Sequence, residues 1–132
     1  MPQLSVGQAA ELLCVSADTV RRLADRGEFK ASRSPGGRRH IDGATLARYA
    51  RRTAHPALAG RTQPESARNH FPGIVTRVTK DTVMAQVDVQ AGPFRVVSLV
   101  SREAADELHL ITGTLVVTSV KSTSVVLELP KP

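Results

Sequence analysis

The apolar residues of this 132-residue chain change period halfway along: from Leu4 to Arg52 they recur at helical spacing, and from Gly73 to Leu129 in short β-branched runs. One architecture does not serve both patterns, so the sequence predicts an α+β chain of two small units. Residues 53–65 (TAHPALAGRTQPE) hold two prolines and a glycine without a period and read as a linker. The expected boundaries are a first domain over 1–52, this linker, and a second domain over 66–132.

Helix signals crowd the first half. Ser5 and Gln8 stand at capping-box spacing before the apolar stripe Val6, Ala9, Ala10 and Leu13, which predicts a short first helix. Cys14 and Val15 form a tight turn, and Cys14 is expected to be packed rather than reactive. Ser16 caps a second helix running to about Arg26, with Gly27 placed to stop it. Val20, Leu23 and Ala24 share its inner face, leaving Thr19, Arg21, Arg22 and Arg26 outward. A strand over 29–33, a turn at Ser34-Pro35-Gly36-Gly37 and a return strand over 38–41 then make a wing. Asp42 caps a third helix with Leu46, Tyr49 and Ala50 inward and Arg48, Arg51 and Arg52 outside.

Charge follows the same division. Residues 1–65 carry eleven Lys and Arg against six Asp and Glu, and residues 66–132 seven against six, which recovers the overall net charge of +6. A basic excess confined to one half fits either a polyanion partner or a solvated surface. Two short helices across a tight turn, followed by a basic wing, resemble the MerR and excisionase class of winged helix-turn-helix domains over residues 4–52. That resemblance implies double-stranded DNA as partner, with Ser16, Thr19, Arg21 and Arg22 at the major groove and Arg38, Arg39 and His40 on phosphates. The chain departs from MerR regulators at His55-Pro56, where they continue into a long dimerising helix.

The second half offers five strand candidates, at 73–78, 83–89, 94–100, 114–120 and 125–129, rich in valine and threonine. Ser101 to Leu110 interrupts them with a serine cap, acidic residues and an Ala104/Ala105–Leu108 inner face, which predicts a helix between the third and fourth strands. The expected fold is a small five-stranded OB-like barrel with one helix. Asp88, Asp106 and Glu107 read as ordinary surface charges.

Two donor-rich clusters flank this frame: Ser66-Ala67-Arg68-Asn69 before the first strand and Lys121-Ser122-Thr123-Ser124 between the fourth and fifth. A tetrahedral dianion offers only acceptor oxygens, so hydroxyls, amides and a cation are what its site requires. Taken singly, the first cluster also reads as a cap and the second as a hairpin turn. As a pair, with SLVSREAADELHL at 98–110 and ITG at 111–113, they resemble the Mop (molbindin, TOBE-type) domain from Ser66 to about Leu129. The resemblance implies molybdate or tungstate as ligand, held between subunits by Ser66, Arg68, Ser101, Lys121 and Ser122; Ala67, Asn69 and Thr123, from the same two clusters, complete the candidate oxyanion site. It also implies a homo-oligomer, dimer or hexamer, formed through this domain. Ala104 stands where the family often has a serine, which removes one donor.

No enzymatic constellation stands out, because His40, His55, His70 and His109 are scattered and no nucleophile, base and orienting group recur together. Cys14 is the one cysteine, so neither a disulfide within the chain nor a Cys-rich zinc motif is expected. With no signal-peptide pattern and no apolar run near the ~18 residues of a membrane span, the expected location is the cytoplasm, with no membrane partner. The residues thus point to an oxyanion-responsive DNA-binding transcriptional regulator or, alternatively, to a molybdate or tungstate storage protein with an accessory DNA-binding domain. No catalytic cofactor and no metal cation are expected.

Overall fold

A computed structural model describes residues 2–54 and 68–131, and the chain divides into two compact units, Met1–His55 and Pro56–Pro132. Of the expected linker, Thr53 still belongs to a helix, while 55–65 lie outside the described residues, as do Ser66 and Ala67.

The first unit runs β1 (Gln3–Ser5), α1 (Val6–Leu13), α2 (Ala17–Asp25), β2 (Ala31–Arg33), β3 (Arg39–Asp42) and α3 (Gly43–Thr53). Its caps are local chemistry. The Ser5 hydroxyl accepts from the Gln8 amide at 3.1 Å while Gln8 Oε1 accepts from the Ser5 amide at 2.9 Å, so the capping box is closed both ways. Cys14 ends α1 in the left-handed region at φ 56°, and the chain reverses there. Cys14 is exposed, contrary to expectation, because a left-handed turn residue projects from the helix pair rather than into it. Asp42 accepts from the Thr45 amide at 3.1 Å and starts α3.

The three helices enclose Ala9, Val20, Phe29, Ile41 and Leu46, with Leu4, Leu13, Leu23 and Tyr49 packed around them. Phe29 meets Tyr49 edge-on with ring centroids 5.5 Å apart. The wing is a strand shorter at its start than expected, since Phe29 turns into this core before β2 begins. One strand escapes sequence reading altogether: β1 pairs with β3, giving a sheet of order β1-β3-β2.

The second unit is a curled antiparallel sheet of order β6-β5-β4-β7, made of β4 (Asn69–Lys80), β5 (Met84–Ala91), β6 (Phe94–Ser101) and β7 (Leu115–Val120), with α4 (Arg102–Glu107) after β6. Strand β4 is the spine. Its first part pairs with β7 and its later part with β5, the register shifting at a bulge between Val75 and Arg77. Pro72 is tolerated because the stretch before Ile74 has β7 on one side only, so a missing N–H can face the unpaired side. At Gly73 the sheet folds so tightly on itself that a Cβ would stand 2.6 Å from Val89 Cγ1 and 2.7 Å from the Gln90 carbonyl oxygen.

Val75, Val87 and Val89 form the buried cluster, with Val78, Val96, Val100, Leu110 and Val116 against it. Three expectations need correction. The fifth strand, 125–129, is not paired: beyond a 3-10 turn at Ser122–Ser124 the chain runs on with Leu127 91% exposed, for want of a partner among the described residues. The helix is only six residues long, and His109 follows it in the left-handed region at φ 53°, so Leu110 packs inward and Leu108 stays 64% exposed. Asp88 is buried rather than a surface charge, bridged to Arg95 at 2.7 Å.

Candidate functional site

In the first unit the exposed start of α2 forms a connected polar set. The Ser16 hydroxyl accepts from the Thr19 amide at 3.1 Å and lies 2.9 Å from the Thr19 hydroxyl, which in turn accepts from Arg22 Nη2 at 3.1 Å. Arg21 donates to Asp18 at 2.8 Å. Ser16, Thr19, Arg21 and Arg22 therefore share one helical end, with the hydroxyls fixing the cap as well as presenting polar atoms.

The three wing residues differ from one another. Arg38 is exposed at the turn. Arg39 is half-buried and donates to Asp25 at 2.8 Å and to the Arg21 carbonyl at 3.3 Å, bracing the wing on α2. His40 sits in the middle of the sheet, opposite Ser5 on one side and Ser32 on the other. Arg33, which sequence reading did not single out, pairs across the wing with Arg39. Counting back from the Gly-rich turn along an antiparallel hairpin would have found it.

In the second unit the pairing of β4 with β7 sets Asn69 opposite Val120. Asn69 Nδ2 also donates to the Val120 carbonyl at 3.1 Å, so the start of one strand is pinned to the end of the other. Arg68 precedes that pair and Lys121, Ser122 and Thr123 follow it, all four exposed. The described part of the first cluster, Arg68 and Asn69, thus meets the second, about fifty residues later in sequence, at one end of the sheet. Lys121 leads into the 3-10 turn, where its carbonyl accepts from the Ser124 amide at 2.9 Å.

Ser101 stands elsewhere. It ends β6 opposite Met84, near the Lys80 end of β4, whereas Asn69 begins β4 eleven residues earlier. At about 3.3 Å per residue the register keeps the two far apart along the sheet. The Ser101 hydroxyl accepts from the Ala104 amide at 3.0 Å and caps α4, leaving its own O–H free to donate.

Three aspartates of this unit, Asp81, Asp88 and Asp106, are held in the ionised form. The Arg95 guanidinium, then the Gln86 amide, hold Asp88 below the ordinary carboxylate range, and Lys80 at 2.5 Å does the same for Asp106. For Asp81 the cause is hydrogen bonds from the Met84 and Val83 amides, which tighten the β4–β5 turn.

Fold and donor-rich faces together define a chain of two binding modules: a winged helix-turn-helix followed by a curled, OB-like sheet. Residues 4–54 match the helix-turn-helix domain family and residues 65–127 the TOBE domain family. The chain therefore carries a helix-turn-helix domain joined to a TOBE domain. Among solved structures, MopII from Clostridium pasteurianum is 33% identical to 50% of this chain and is covered over 100% of its own length, with a TM-score of 0.47. A molybdate binding protein from Sporomusa ovata is 28% identical, covering 52% of this chain and 100% of that one, at a TM-score of 0.47. No curated protein matches the chain. No helix among the described residues is long and apolar enough to cross a membrane.

Proposed function

We propose that this protein is a cytoplasmic, DNA-binding transcriptional regulator that responds to molybdate or tungstate. The observation that carries the reading is the meeting of Arg68 and Asn69 with Lys121, Ser122 and Thr123 across the β4–β7 pair, in a chain whose other unit is a helix-turn-helix domain. Two cations supply charge and the hydroxyls supply short hydrogen bonds, which is the donor set a tetrahedral dianion needs. Ser66 and Ala67 complete the motif in sequence.

Ser101 joins the site only if a second copy brings it there, since one chain's register separates it from Lys121. The reading therefore includes a homo-oligomer, dimer or hexamer, with the anion between copies. The exposed apolar run Val125–Leu129 and the outer edges of β6 and β7 give such an assembly its material. Joining two helix-turn-helix units raises DNA affinity through effective concentration, and an anion that favours one arrangement of copies changes how those units are presented.

Titration calorimetry with molybdate, tungstate and sulfate, on wild type and Lys121→Ala, tests the sensing half. Molybdate or tungstate binds wild type and binds the variant at least tenfold more weakly; equal affinities remove Lys121 and its cluster from the site. A gel shift with wild type and the Arg21→Ala/Arg22→Ala double variant tests the other half. Loss of the shift in the variant with anion binding intact is expected, whereas a wild type that binds anion but never shifts DNA is a storage protein.

A further inference from the structure

Between the wing and the first turn of α1 the N-terminal unit holds an open cleft of about 430 Å³, walled by Val6, Gly7, Arg21, Arg33, Arg38 and Arg39. Four arginines face one concavity with no carboxylate among its lining residues. Two of them are tied down, Arg21 by Asp18 and Arg39 by Asp25. Arg33 and Arg38 are exposed and make no ion pair among the described residues. Guanidinium groups gathered in this way repel one another until an anion sits among them.

The α1 wall adds to the same charge. The amides of a helix's first turn have no partner within the helix, and here the Gln8 amide is taken by Ser5 while Val6 and Gly7, the first two residues of the helix, line the cleft. Gly7 is not demanded by packing: a Cβ there would meet nothing nearer than the Ser5 hydroxyl at 3.8 Å. A helix prefers almost any residue to glycine. What the glycine does provide is bare backbone that a ligand can approach.

The geometry points to a seat for one phosphodiester group of the DNA backbone, contacted by Arg21, Arg33, Arg38 and the α1 amides, with Arg39 holding the wall in place. This rests on the DNA-binding reading above and moves Arg21 from base recognition to backbone anchoring. Arg22, bound to Thr19, is left as the arginine of α2 directed at bases.

The test is fluorescence anisotropy of the full chain on a mixed-sequence duplex across a salt series, with Arg33→Ala/Arg38→Ala, Arg33→Lys/Arg38→Lys and Gly7→Glu. Removing two phosphate contacts lowers the slope of log affinity against log salt by about 1.8, so from roughly 50 to 200 mM salt the wild type loses about 12-fold more affinity than the alanine pair. The lysine pair keeps the wild-type slope. Gly7→Glu keeps or raises the melting temperature, because a carboxylate suits a helix N-terminus, yet binds DNA several-fold more weakly. An unchanged slope in the alanine pair, with wild type binding normally, overturns the phosphate seat and leaves DNA binding standing. A wild type that binds no duplex at any salt overturns both. If inorganic phosphate raises the melting temperature of wild type but not of the alanine pair, and the duplex slope is unchanged, the cleft serves a free anion and the backbone assignment fails.

Discussion

Arg39 of the wing and Asp25 at the end of α2 form an ion pair at 2.8 Å, and the arginine's other arm reaches the Arg21 carbonyl. The wing is therefore clamped to the helix it flanks. Asp25 is largely exposed, which keeps the pair's worth near that of a surface bridge. Arg39→Ala is expected to lower unfolding free energy in urea by about 0.5–1 kcal/mol and to speed hydrogen exchange in β2 and β3. Unchanged exchange there would show that the pair does not hold the wing.

Gly73 marks the tightest point of the second unit. A methyl group there meets Val89 Cγ1 and the Gln90 carbonyl inside contact distance, and the carbonyl belongs to a paired strand that has little freedom to shift. Gly73→Ala should destabilise this unit by about 1–3 kcal/mol, the usual cost of overpacking. Thermal melting followed through the sheet's circular dichroism checks it; a variant as stable as wild type would mean the fold at Gly73 is more open.

Acid should reveal Asp88. Its folded carboxyl is held below the ordinary value of 3.8, chiefly by Arg95, so it contributes stability that is fully present above that value and fades as pH falls through the depressed one. Asp88→Asn removes that contribution: the variant is less stable near neutrality, and its stability falls less between pH 4 and pH 2 than the wild type's. Parallel pH profiles for the two proteins would contradict the assignment.

The run Val125–Leu129 places apolar side chains in solvent next to a sheet with open edges. If copies associate through it, Leu127→Asp converts the assembly to monomer in sedimentation equilibrium while the circular dichroism of the sheet is kept. Wild type that sediments as a monomer at every concentration would discard the oligomer.

What could be read from the residues was whatever is settled within a few positions. The capping box at Ser5, the caps at Ser16, Asp42 and Ser101, and the wing turn are short-range devices, and each took the form expected. Strand β1 was invisible because three residues carry no period and its order comes from pairing with β3. The expected fifth strand failed for the opposite reason: alternating apolar residues favour extension, but a strand also needs an edge to join. Asp88 looked like a surface charge because its burial is built by Arg95 from the neighbouring strand. In the site, the two donor clusters were legible as a pair, and the β4–β7 register explains why they belong together. Ser101's separation from them depends on topology that spacing alone does not carry, whereas Arg33's place opposite Arg39 was within reach of the hairpin's register.

The second unit keeps just three valines fully enclosed in its main cluster. So small a nucleus leaves little reserve against unfolding, and whatever surface a neighbour covers becomes a large share of the total. If copies associate as proposed, mass action makes the melting point climb as the solution is concentrated and slide back on dilution, and cellular abundance then becomes a determinant of whether this half of the molecule is folded.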